Sequence, residues 1–258
     1  MNFTDVQIAQ FVGQYFWPLC RIGAFFLAVP VLGAQLINTR VRIALAVLVT
    51  LITVPLLPPL PAVPSLSVQS LLIVMQQVLI GLAMGFSLQV VFQLFVLAGQ
   101  FVAMKMGLGF AQMNDPSNGV SVTVVSQLYL MLATLLFLSV NGHLVVIEFI
   151  VNSFQTLPIS EQGISLQTLW MIASMGSWMF GGALVIALPV LTSILVVNLA
   201  FGVMSRSAPQ MNVFAVGFPI TLVLGLFLIW FGLSSFLPNY DMFLRYGFDI
   251  VREIMGAN

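Results

Sequence analysis

Apolar residues in this chain come in long blocks, separated by a few short polar joints. The first block runs from about Phe11 to Ile37, and Asn38 to Arg42 interrupt it with two arginines. A second block, Ile43 to Leu57, ends in Pro55, Pro58, Pro59, Pro61 and Pro64, a cluster that reads as an extended, rigid connector. The third starts near Val68 and continues to about Met104, and the fourth covers Val120 to Val140. Asn141-Gly142-His143 breaks the pattern before Leu144 to Phe154 resumes it, and Gln155 to Ser165 connects onward. Leu166 to Met204 and Val213 to Leu237 form a long helical hairpin whose turn, Ser205 to Asn212, holds Arg206, Pro209, Gln210 and Asn212. These four are expected to fix the turn and to contact neighbours. Pro238-Asn239 is expected to close the second arm. Asp241 to Met255 then reads as an amphipathic interfacial or partner-docking helix, with Arg245 and Asp249 placed to attract at i, i+4.

An apolar stretch of roughly 20 residues crosses a bilayer core. The third block and the Leu166 to Met204 block exceed that length, the latter reaching over 50 Å if it is one helix, at about 1.5 Å per residue. Polar side chains lie inside the blocks. Gln89, Gln93 and Gln100 share one helical face, and Gln76 and Gln77 precede them. In lipid their amides would go unsatisfied, so other protein or a watery lumen should meet them. Gly81, Ala83 and Gly85 let a neighbouring helix approach closely. Arg21 lies mid-block, where an unpaired guanidinium costs roughly 2.5–3.5 kcal/mol, and it calls for a buried partner or a wet cavity. Glu148 is the carboxylate expected to pair with Arg21 or Lys105. His143 reads as a break residue with a satisfied hydrogen bond rather than a proton relay.

The least regular stretch is Lys105 to Gly119, K-M-G-L-G-F-A-Q-M-N-D-P-S-N-G. Asp-Pro-Ser-Asn-Gly signals a turn, yet Met106, Leu108, Phe110 and Met113 are large and apolar. Two readings stand side by side. The loop dips its apolar residues into lipid at the interface, or it hangs on Gly107 and Gly109 as a soft seal across a hydrophobic path.

Composition narrows the function. The chain has 258 residues, 60% of them hydrophobic and 5% charged, with seven basic and seven acidic side chains. A soluble domain carries about 25% charge, so lipid or apolar protein must be this chain's solvent. Zero net charge offers nothing to nucleic acid. Cys20, the one cysteine, excludes an internal disulfide and a cysteine-based metal cluster, and it reads as a small packed hydrophobe. The opening M-N-F-T-D-V-Q has no basic region typical of a cleaved signal, so the first block is expected to remain. The sequence holds no P-loop, dinucleotide fingerprint, zinc-protease pattern, nucleophile elbow or intramembrane aspartate pair, and no enzyme activity or cofactor is expected. No pair of similar halves suggests an inverted-repeat transporter. The fold class is all-α, integral to the membrane. Six crossings would place Arg40, Arg42, Lys105 and Arg206 on one side, a count strained by the two overlong blocks.

Three motifs carry a resemblance: G-F-A-Q-M-N-D-P-S-N-G (Gly109 to Gly119), N-G-H (Asn141 to His143) and above all M-S-R-S-A-P-Q-M-N-V-F-A-V-G-F-P-I (Met204 to Ile220). With Arg21, V-P-V-L-G-A and the Arg40/Arg42 joint, they resemble the FliR family of flagellar biosynthesis proteins over essentially the whole chain. The resemblance implies a non-enzymatic subunit of the flagellar type III export gate in the bacterial inner membrane, at the flagellar basal body. It implies FliP-like and FliQ-like partners, an FlhB-like subunit on the cytoplasmic side, and unfolded flagellar proteins as cargo. It further implies a FliP-like part (1–158), a FliQ-like hairpin (159–258, with the tail at 241–256), and long hairpins packed in a hetero-oligomeric, cone-like pore. Carried onto this chain, the family's plug covers Met106, Gly107, Leu108, Gly109, Phe110 and Met113. A virulence-type export gate, a stand-alone small-molecule transporter and a scaffold without a pore role are the alternatives.

Overall fold

The computed structural model describes residues 5–33, 37–57, 67–109, 123–160, 163–207 and 213–256. Seven α-helices make up the described chain, which contains no strand: α1 (Asp5–Ala28), α2 (Thr39–Thr53), α3 (Val68–Lys105), α4 (Val124–Ser139), α5 (Gly142–Thr156), α6 (Leu166–Ser207) and α7 (Val213–Ile254). A 3-10 turn, Val54–Leu56, extends α2. The four prolines beyond Leu57 lie outside the described residues.

The chain forms two compact units interleaved in sequence. The first comprises Met1–Val90, Phe137–Met175 and Tyr246–Asn258, and the second Val91–Leu136 and Gly176–Arg245. Each takes residues from both sides of position 158.

In the first unit α1 packs on α2, and α3 lies against α1 at the G-L-A-M-G step of Gly81 and Gly85. A Cβ on Gly81 would collide with the Arg21 carbonyl oxygen, and one on Gly85 would come within 2.7 Å of Ala28 Cβ and 2.9 Å of Phe25 O. Two small residues one turn apart thus bring the helices to backbone contact, as expected from the sequence. Asn38 caps α2, its side-chain oxygen accepting from the Arg40 backbone N–H, and Arg42 Nε donates to Leu32 O at 3.0 Å.

In the second unit α3 contributes Phe95 to an aromatic core with Phe236, Tyr240 and Phe243 of α7, at centroid distances of 5.3, 5.7 and 6.2 Å. Trp178 of α6 meets Phe243 edge-on, and Phe201 lies beside Gly217. These two contacts fix α6 and α7 as an antiparallel hairpin, as the sequence predicts.

The second arm differs from expectation. Pro238-Asn239 does not close it: α7 continues through Pro219 and Pro238 for 42 residues and absorbs the tail. Proline removes one N–H and disturbs the turn before it. Asn239 Nδ2 donates to Ser235 O at 2.9 Å, which returns a donor to that disturbed turn. On the tail, Arg245 pairs with Asp241 and Arg252 with Asp249, both exposed.

Among the described residues, four helical stretches are long and apolar enough to cross a membrane: Thr39–Leu56, Val68–Lys105, Leu166–Arg206 and Gly217–Ile254. Helices α4 and α5 meet at a 70° bend and would supply a fifth if they act as one broken span. The first block, expected as a crossing, is not among them.

Candidate functional site: the buried arginine and the end of the third helix

Arg21 is fully buried in the first unit. Its Nε donates to Gln77 Oε1 of α3 at 2.8 Å. One terminal nitrogen donates to Ser153 O at 2.9 Å and Ser153 Oγ at 3.2 Å, and the other to Leu157 O at 2.9 Å. The Phe154 ring lies 4.3 Å from Cζ. Every acceptor is uncharged. Ser153 belongs to the last turn of α5 and Leu157 is its C-cap, so the guanidinium covers the negative end of that helix dipole. A planar fork serving three residues on two helices at once is work for arginine, not lysine. The structure does not bring Arg21 to Glu148, whose side chain is exposed on α5. Gln77, seen only as one of a polar row in the sequence, is a side-chain partner together with Ser153. The signal that would have found the carbonyls is the helix end itself, at Ser153 to Leu157.

The rest of the glutamine row divides along α3. Gln100 Oε1 accepts from Ser126 Oγ at 3.2 Å, Gln89 is half-buried and Gln93 is exposed. Phe86, Gln93, Leu97, Gln100 and Met104 follow one another at helical spacing, a mixed amide and apolar stripe that stays at least partly open. It leads to the end of α3.

That end is a Schellman cap. Gly107 takes φ +84, its N–H donates to Met104 O, and the Leu108 N–H reaches back to Ala103 O at 3.0 Å. Lys105 sits in the last turn, exposed, where a cation suits the dipole. Met106 is fully buried. A Cβ on Gly225 of α7 would come within 2.5 Å of Met106 Cγ and 2.7 Å of its Sδ and Cε, and one on Gly107 within 2.7 Å of the Phe218 ring. So α7 grips the start of the loop at two places. Of the residues expected in the seal, Leu108 and Gly109 are half-buried, while Phe110 and Met113 lie outside the described residues. Of the turn residues, Arg206 is exposed at the end of α6, and Pro209, Gln210 and Asn212 lie outside the described residues. Cys20 is half-buried and unbridged. Among the described residues no group of three or more His, Cys, Asp or Glu is placed to hold a metal ion.

A family model described as bacterial export proteins, family 1, matches residues 12–246. The chain belongs to this family of membrane-embedded export proteins. Within it, the similarity is to FliR proteins. The flagellar biosynthetic protein FliR of Pectobacterium carotovorum subsp. carotovorum is 38% identical over 255 residues, covering 99% of this chain and 97% of the relative. FliR of Escherichia coli (strain K12) is also 38% identical over 255 residues, covering 99% and 96%. FliR of Aquifex aeolicus (strain VF5) is 29% identical over 209 residues, covering 81% of each.

Proposed function

We propose that this chain is a subunit of the flagellar type III export gate, lining part of the conduit by which unfolded flagellar proteins cross the bacterial inner membrane at the basal body. The relatives above are flagellar by name, which favours neither a virulence-type gate nor a stand-alone small-molecule transporter.

One observation supports assembly with partners most directly. On α6, exposed apolar side chains extend from Leu166 and Trp170 through Leu184 and Leu195 to Leu199 and Met204. At 1.5 Å per residue that stripe is about 57 Å long, against a hydrocarbon core of roughly 30 Å. A tilt of about 40°, the upper end of what helices adopt, stretches the lipid-covered length only to roughly 39 Å. Protein must cover the remainder. The hairpin of α6 and α7 supports reading residues 159–258 as a FliQ-like arm that packs beside FliQ-like and FliP-like neighbours, with an FlhB-like subunit on the cytoplasmic side. Gln93, exposed near the middle of an apolar 38-residue helix, would be unsatisfied in lipid and fits a wet lumen or a polar neighbour.

In this reading the loop after Gly107 seals the conduit at rest and yields to an extended chain. Replacing Leu108 to Met113 by a Gly/Ser run leaves the helix cap in place and should make cells leak ions. Unchanged permeability in a strain that still assembles the gate would overturn the seal. Affinity purification through a tag on this chain should recover FliP- and FliQ-like subunits. Recovery of a partnerless monomer would overturn the assembly.

A further inference from the structure

The sequence groups Met106 with the apolar side chains of the seal, but its surroundings separate it from them. It is fully buried, while Leu108 and Gly109, one and two residues past the cap, are half-buried. Its side chain fills the space that a missing Cβ leaves at Gly225, so that Cγ, Sδ and Cε all press on the α7 backbone. Because three successive atoms are involved, swinging the terminal methyl aside would not make room for a larger residue at 225; the whole side chain would have to leave. Immediately after it, Gly107 is fixed by two backbone bonds of the Schellman motif and lies under the Phe218 ring. Phe218 and Gly225 are two turns apart on α7 and therefore share a face.

We propose that Met106 is a positioning residue: a pin, socketed at Gly225, that holds the base of the loop to α7 throughout export, so that movement begins beyond Gly107 and not at it. Gly107 then marks the boundary between a fixed helix end and the part that yields. The role of the pin rests on the reading of the loop as a seal, whereas its fixity does not, and the two are tested separately.

Fixity is tested in the assembled gate with Met106→Cys and Gly225→Cys combined in a Cys20→Ser background. A mild oxidant should join the two sites in resting and in secreting cells, with export of a reporter substrate equal before and after oxidation of the same variant. Export that stops on oxidation and returns on reduction would overturn the proposal, since the pin would then have to release. Failure to cross-link in the assembled gate would overturn it too, by removing the contact.

Positioning is tested by a size swap. Gly225→Val should raise ion leak several-fold with the chain still present in the membrane, and adding Met106→Ala should restore the resistance to leak. A purely structural loss would lower abundance and would not be rescued by shrinking one particular side chain. If the Gly/Ser loop leaks but Gly225→Val stays tight, the positioning role falls and the seal stands. If the Gly/Ser loop stays tight, the seal falls, and the cross-link alone decides whether the pin is fixed.

Discussion

Arg21 shows how a charge is housed without a countercharge. Gln77 Oε1, Ser153 O and Leu157 O take its protons, and the Phe154 face lies against its carbon. Arg21→Met would leave those acceptors buried without donors, at a cost on the order of 3 kcal/mol. Abundance and heat-induced aggregation of the full chain in detergent should both report it. Arg21→Lys should rescue little, because one ammonium cannot span the three acceptors. Glu148→Gln should change stability by less than about 0.5 kcal/mol, as an exposed substitution does. A large loss there would mean that the two residues are coupled after all. That arginine needed burial was legible from its position in an apolar block. Its partners were not, because carbonyls at the end of a helix carry no side-chain signature, and a search for opposite charge passes over them.

Among the elements, the third block and the Leu166 to Met204 block were legible to within a few residues, whereas the first, read from about Phe11 to Ile37, is a helix from Asp5 to Ala28. Expected bounds of 68 and 104 for the third block compare with an observed Val68–Lys105. Proline was the less dependable stop. Read as the end of the second hairpin arm, Pro238 instead lies inside α7, because the neighbouring Asn239 side chain bonds the disturbed turn. The Asn141 break was legible and real. Asn141 adopts φ 57 at the 70° bend between α4 and α5, a conformation that costs asparagine and glycine less than it costs β-branched residues. Asn141→Gly should leave thermal stability nearly unchanged, whereas Asn141→Val should cost roughly 1–2 kcal/mol. Equal stability of the two would show that the bend relaxes. The grip of Gly225 on Met106 could not be read in advance, since it depends on which residue of a distant helix faces the loop.

For the whole molecule, the mismatch between helix length and bilayer thickness sets the prediction. A photoactivatable reagent confined to the acyl chains should label about 20–25 consecutive residues of α6 in the assembled gate and leave the rest untouched. Labelling from Leu166 to Met204 without a gap would mean that lipid covers the entire stripe, and the need for partner protein there would vanish. Composition made the apolar solvent legible. It left open how much of that solvent is lipid, because a side chain's hydropathy is the same against an acyl chain and against a neighbouring subunit.

The reach of the Arg21 staple also dictates a timetable. Its acceptors at Ser153 and Leu157 are encoded 132 and 136 residues later. At about 5–20 residues per second, the ribosome needs on the order of ten seconds to make them. For most of that interval the newborn helix carries a cation that has at most one of its buried acceptors, Gln77, made 56 residues after it. It must wait at the water boundary, or in the care of the insertion machinery, until the fifth helix is complete, so a segment translated well before its partners is among the last to settle.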